Sequence, residues 1–432
     1  MNPFRYGKTV PLEFQCPRPA LERTLLGHLR SAQNVLMQGD RRMGKSSFLT
    51  HALAPKFGRR VYKVDFSAVK SVDAVVRKMV WALEQLDKTA SLVDRAKRGA
   101  SRATPAITLG GFSLSFDPAR PLTPAHIEEV LTAVGESSRR HPILCIFDEF
   151  QDILRLPPGD AEALLAQMRS VIQHQTDVPY IFAGSSRNRM HGIFNHPASP
   201  FFKSAATVEF GPIPIEDFTP WITCRFSEGR RKLPAPIAAR VFGITQRVSG
   251  DVQQVCSALW NVSSTGEIIG DAHLDAAIDL ILGEESKTNE LIWAELSEKQ
   301  ASCLQVLAAN PLLPPAGADF ARLSGIHSAS TVTRSLDSMT DRGLLFKQEG
   351  RYSFFTPFFR MWVHRRQDLP PVPQLPEPQA DGPDPAGPSR AEEPAASYLT
   401  GNRERTRSGR RAGDGLMIPG NFPLRGRPTF AS

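Results

Sequence analysis

Eight consecutive residues near the amino end, Gly39-Asp40-Arg41-Arg42-Met43-Gly44-Lys45-Ser46, fit the pattern G-x-x-x-x-G-K-[ST] without mismatch. These types at this spacing suit the capture of a polyphosphate. Two glycines let the backbone wrap closely enough for successive N–H groups to point at phosphate oxygens. Lys45 supplies a flexible cation for the outer phosphates and Ser46 a hydroxyl for Mg²⁺. The helix opening there, with Ser47 in its first turn, aims its positive end at the anion. An apolar run (Val35, Leu36, Met37) precedes the loop, and Phe48, Leu49 and Leu53 follow it at helical spacing.

A second group of chemically useful residues lies well downstream. Ile143-Leu144-Cys145-Ile146-Phe147 is apolar at every position, as a strand covered on both faces requires, and it ends in Asp148 and Glu149. A strand-end aspartate can hold the Mg²⁺ shell while the adjacent glutamate polarises an attacking water. After the next apolar run come Gly184, Ser185 and Ser186. Ser185 is placed to sense the terminal phosphate or orient water, and a plain Gly-Ser turn fits the same residues equally well. Arg187 and Arg189 follow, either as charge stabilisers in cis or towards a neighbouring subunit, or as a basic loop.

These groups need a frame. Short apolar runs at 34–38, 60–66, 143–147, 179–183 and 206–210 alternate with helical patterns at about 46–54, 71–87, 123–138 and 160–175. That alternation predicts an α/β core with a parallel sheet of about five strands. The Gly- and Ser-rich stretch 98–120 reads as an insertion or hairpin, and 215–290 is helical only. From 296 to 366 the pattern is three short helices and a strand pair. Ser330 is expected to cap a helix that buries Val332, Leu336 and Met339, with Leu344–Phe346 and Tyr352–Phe355 forming a wing around Glu349-Gly350. The helix offers Arg334 and Arg342 against Asp337 and Asp341, a poor face for phosphates. Partner docking therefore suits this module better than DNA contact. The aromatic run Phe354, Phe355, Phe358, Phe359 and Trp362 reads as core joining wing to body.

Composition limits the alternatives. Hydrophobic residues make up 41% and charged residues 22% of the 432, as in globular domains, and 52 Lys and Arg against 44 Asp and Glu leave +8. Such a charge permits but does not demand contact with nucleic acid. The five cysteines, Cys16, Cys145, Cys224, Cys256 and Cys303, form no CxxC pair, which fits a reducing cytoplasm. No apolar run approaches the roughly 18 residues of a membrane span. From Gln367 onward the chain holds a third of its 36 prolines and a basic cluster (Arg403, Arg405, Arg407, Arg410, Arg411), so 367–432 is expected to be disordered. The organisation expected is a phosphate-loop core over 1–213, a helical lid over 214–292, a winged helix over 293–366 and that tail.

Several stretches make the chain resemble the archaeal-type P-loop ATPases, close to the AAA+ and STAND proteins: Asn2-Pro3-Phe4, the phosphate loop, I-F-D-E-F at 146–150, F-A-G-S at 182–185, Pro200-Phe201-Phe202, S-G-D-V-Q-Q from Ser249 and S-F-F-T-P-F-F-R-M-W at 353–362. The resemblance implies a core, lid and winged helix that bind ATP and Mg²⁺ through the segment Gly39–Ser47, with Ser46 and Asp148 on the metal, Lys45 and Glu149 supporting hydrolysis and Ser185 as sensor. It implies a nucleotide-driven conformational switch. The alternatives are a DNA-associated motor or loader and a scaffold with little hydrolysis. A protein partner is expected; self-association and nucleic acid through the winged helix or tail stay open. The chain departs from relatives at Gly250-Asp251-Val252, where they often carry Gly-x-Pro.

Overall fold

The computed structural model describes residues 1–57, 60–88, 106–109, 112–115, 121–348 and 350–366. The expected disorder of 367–432 and the wing-turn residue Glu349 lie outside the described residues.

Five strands, β1 (Val35–Gln38), β2 (Arg60–Asp65), β5 (Ile143–Asp148), β6 (Tyr180–Gly184) and β7 (Ala206–Glu209), pair in parallel in the order β2-β5-β6-β1-β7. The register aligns Gln38 with Gly184 and Glu209, and Asp65 with Asp148, so the carboxyl ends of the strands form one rim. Loops on that rim are where parallel α/β sheets place their ligands. Within 98–120 the described part is an antiparallel pair, β3 (Ala106–Leu109) with β4 (Phe112–Ser115).

Helices cover both faces of the sheet. On one side lie α1 (Pro19–Arg30) and α2, which starts as Lys45–Ser47, widens to a π-helical stretch over Phe48–Leu53 and closes as Ala54–Phe57. Leu25, Leu29, Leu49 and Leu53 pack there on Val35 and Met37. On the other side lie α3 (Val72–Lys88), α4 (Ala125–Arg140), α5 (Pro158–Ile172) and α6 (Arg187–Phe194). Their core includes an aromatic cluster in which the fully buried Phe150 lies 4.9 Å from Phe182, 5.5 Å from Phe66 and 5.7 Å from Phe201, ring centre to ring centre. Phe150 directly follows Asp148-Glu149, so this cluster fixes the strand tip that carries them.

A helical layer follows: α7 (Ile215–Glu228), α8 (Ala235–Thr245), α9 (Ser249–Val262) and α10 (Asp271–Ala294). The winged helix comprises α11 (Glu298–Ala309), α12 (Ala318–Ser324), α13 (Ala329–Asp341), the antiparallel β8 (Leu345–Gln348) and β9 (Arg351–Phe354), and α14 (Pro357–Arg365). One end assignment differs from expectation. Ser328, not Ser330, caps α13: its backbone is extended and its Oγ accepts from Thr331 N at 3.4 Å, whereas Ser330 already lies inside the helix. Val332, Leu336 and Met339 are buried as the spacing requires. α14 pins two layers together, because Phe358 packs into the helical layer while Phe359 packs into the winged helix.

Phe150→Ala should cost about 3–5 kcal/mol of stability, the usual loss for a fully buried aromatic ring. Trp81→Ala, at a ring 60% exposed, should cost far less. Urea unfolding of the two variants checks the contrast.

Candidate nucleotide site

The phosphate loop runs from the end of β1 to the start of α2 with backbone geometry its residues dictate. Gly44 has φ +91°, a left-handed conformation that a side chain disfavours. A Cβ on Gly39 would fall 2.4 Å from the Phe210 carbonyl oxygen. Arg42 also sits at positive φ (+65°), and its surroundings impose it. Gly250 N donates to Arg42 O at 2.8 Å, Arg42 Nη2 donates to Gln254 Oε1 at 2.6 Å, and Arg42 Nε lies 2.8 Å from Asp251 Oδ1. The helical layer thus grips the phosphate loop through Gly250 and Asp251.

Lys45 is buried, and its Nζ donates to the carbonyls of Gly39 (2.6 Å) and Asp40 (2.8 Å). Burial lowers its pKa, opposed by Glu149, Asp148 and Asp40. Ser46 Oγ donates to Asp148 Oδ2 at 2.7 Å, joining the two sequence motifs. Asp148 is 4% exposed and also has Lys63 Nζ at 3.4 Å. A hydroxyl beside a carboxylate is a set of hard oxygen donors, which fits Mg²⁺. Glu149, at φ +50°, accepts from Ser185 Oγ at 2.7 Å and from the Gln151 amide, both through Oε2.

Other expected residues are spent differently. Met43 turns its side chain into the apolar core, and Ser47 Oγ accepts from Val10 N at 2.9 Å, so both face the site through the backbone. Asp40 and Arg41 are exposed on the loop. Arg187 is tied within its own chain, with Nη1 2.9 Å from Glu209 Oε2 and Nε 3.6 Å from Asp40 Oδ1, whereas Arg189 is exposed.

Sequence reasoning missed four contributors. Gln151 and Lys63 lie on neighbouring loops and strands without a motif of their own. Arg18, 4.2 Å above the Phe210 ring, donates to Gly211 O, Met43 O and Ser249 Oγ, and burial lowers its pKa to about 10. The fourth is the amino-terminal strap. Asn2 Nδ2 donates to Ser257 and Asn261, Phe4 is buried in the helical layer, and Arg5 N donates to Gln253 Oε1. Further along, Gln15 Nε2 donates to Val10 O and Ser47 O. Asp251, Gln253 and Gln254 of S-G-D-V-Q-Q, buried inside α9, were the available signal: a buried polar group needs a partner.

Strap, loop and α9 enclose a cavity of about 580 Å³, within the range of small-ligand pockets, whose lining includes Tyr6, Lys45, Ser46, Glu149 and Gly250. A larger cleft of about 2190 Å³ separates the sheet rim from the winged helix; Arg41, Gln151, Ser185 and Arg360 line it.

Comparison with known proteins supports the fold. A family model described as a probable winged helix domain matches residues 287–365. No match is found among curated protein sequences. A Walker-type ATPase of Pyrococcus abyssi is similar in structure over 84% of this chain and 99% of that one, at 16% identity and a TM-score of 0.57. The ORC1 protein of Aeropyrum pernix in complex with DNA matches over 83% and 94% at 13% identity, TM-score 0.42. The RuvB Holliday junction branch migration motor of Thermotoga maritima matches over 80% and 94% at 12% identity, TM-score 0.41. Of these three, the first has a TM-score high enough to support the fold, a P-loop ATPase core, to which the family model adds a carboxyl-terminal winged helix. Among the described residues no helix is long and apolar enough to cross a membrane.

The Asp251 contact has a pH signature. Burial pushes its carboxyl up to about 6, with Arg42 opposing and Glu285 adding. A folded-state pKa above the ordinary 3.8 means that stability from this group is full below 3.8 and lost as pH rises through about 6. Asp251→Asn should therefore gain about 1–2 kcal/mol on the wild type between pH 5 and pH 7.5. Urea unfolding at the two pH values measures it.

Proposed function

We propose that this chain binds ATP with Mg²⁺ and hydrolyses it, and that the nucleotide sets the position of the helical layer relative to the core. The observation that carries the reading is the Ser46–Asp148 hydrogen bond beside Lys45 and Glu149. Two motifs recognised separately converge at one point on the sheet rim, facing a cavity of suitable size.

Mg²⁺ would be held by Ser46 and Asp148 and would supply charge neutralisation on the phosphates. The chain's own residues do the rest. Backbone N–H groups of 39–47 receive the phosphate oxygens. Lys45 Nζ, now capped by two loop carbonyls, exchanges them for the outer phosphate oxygens. Glu149 orients the attacking water and takes up its proton, with Ser185 beside it. Arg42 carries the state of the loop to α9, since its carbonyl and guanidinium both bond there. In this reading 1–213 is the core, 214–292 the lid and 293–366 the winged helix. ATP over GTP rests on the resemblance, as the chain has no guanine-reading Asn-Lys-x-Asp. A cytoplasmic setting, an unidentified protein partner and self-association belong to the same proposal.

The DNA-associated alternative gains no support from the winged helix itself. Asp337 accepts from Lys347 and Tyr352 of the wing, and Arg342 pairs with Glu295 at 2.7 Å, so part of the charge on α13 is spent internally. A scaffold without hydrolysis fits poorly with Glu149 held at the cavity wall.

Lys45→Ala should lose binding of a fluorescent ATP analogue in Mg²⁺. Glu149→Gln should keep that binding while turnover falls by about 10²–10⁴-fold. Full turnover in Glu149→Gln would remove Glu149 as the base.

A further inference from the structure

Gln151 is 1% exposed, yet its amide is only half satisfied. Nε2 donates to Glu149 Oε2 and lies 3.4 Å from Ser185 Oγ, while Oε1 is buried with no hydrogen-bond partner. A flipped amide would set its oxygen against the carboxylate, so the orientation is fixed by charge. A buried oxygen left without a partner costs stability, and native proteins tolerate few such groups. Gln151 therefore sits where packing alone would favour an apolar residue of its size.

The neighbourhood makes room for it. A Cβ on Gly184 would fall 2.5 Å from Gln151 Oε1 and 2.6 Å from Met190 Sδ. The turn that carries Gln151 is anchored on both sides, since Asp152 N donates to Glu149 O at 2.9 Å and Ala68 N donates to Asp152 Oδ2 at 3.1 Å. Both hydrogen bonds of the Glu149 side chain use Oε2, which leaves Oε1 of this half-buried residue without one, on a side chain that lines the nucleotide cavity.

We propose that Gln151 is a positioning residue for Glu149. Its amide and the Ser185 hydroxyl hold one carboxylate oxygen so that the other is presented to the attacking water. The inference rests on the hydrolytic reading above and adds to it a residue outside the motifs.

The test uses the full chain with Mg²⁺ and ATP. Gln151→Leu, similar in size but without the donor, should lower kcat by about 10–100-fold with KM and ATP-analogue affinity unchanged. Gly184→Ala, which keeps the amide but displaces it, should act in the same direction, and the double variant should fall little further. Gln151→Glu, which sets an acceptor where the donor stood, should lower kcat in the same way with ATP-analogue affinity unchanged, because it cannot hold Glu149 Oε2. Unchanged kcat in Gln151→Leu or Gln151→Glu, or a loss of kcat matched by loss of nucleotide affinity, would each overturn the proposal. Wild-type protein without turnover would sink the hydrolytic reading as well, whereas wild-type turnover with an active Gln151→Leu would sink this inference alone.

Discussion

One hydrogen bond holds the site in its shape: Ser46 Oγ to Asp148 Oδ2, across 102 residues of sequence. It closes only because β6 stands between β1 and β5 and all three end at the same rim. The pairing is part-buried, with Lys63 offsetting the charge of the buried Asp148, so losing either partner leaves the other's polar group unsatisfied. Glu149 follows directly on this strand end, and the aromatic core around Phe150 holds it from behind.

Much of this was legible. Local rules wrote the phosphate loop in its glycines, and continuous apolar character over Ile143–Phe147 announced a central strand, fully buried as expected. Features built by residues distant in sequence were not. Helix α1 is written in plain terms, with Pro19 at its first position and Leu25 and Leu29 four apart, yet no motif draws the eye to it. Gln151 acquires meaning only when β6 brings Ser185 alongside Glu149. The strap is illegible for the same reason. Asn2, Arg5 and Gln15 are ordinary polar residues until α9 and the phosphate loop supply their partners. Resemblance singled out Asn2-Pro3-Phe4 without a reason for it; the reason is Phe4 in the core of the helical layer, 4.9 Å from Phe226.

The two arginines of the phosphate loop divide its connections. Arg42 is bound to α9 by backbone and side chain together. Arg41 turns the other way, with its Nη1 4.0 Å from where a Cβ on Gly343 would stand, at the end of α13. The phosphate loop thus has one neighbour in each of the two layers beyond the sheet. In the proposed switch, rearrangement of 39–44 would reach both layers through these two arginines, because packed layers shift as units rather than deform.

The strap has an implication for biosynthesis. Asn2 finds its partners 255 and 259 residues later, on α9. A nascent chain presents phosphate loop and strap long before α9 exists, and until then the strap has nothing to fasten to. The wall that the strap gives the cavity is therefore completed late in translation, when α9 emerges to meet residues made some 255 positions earlier.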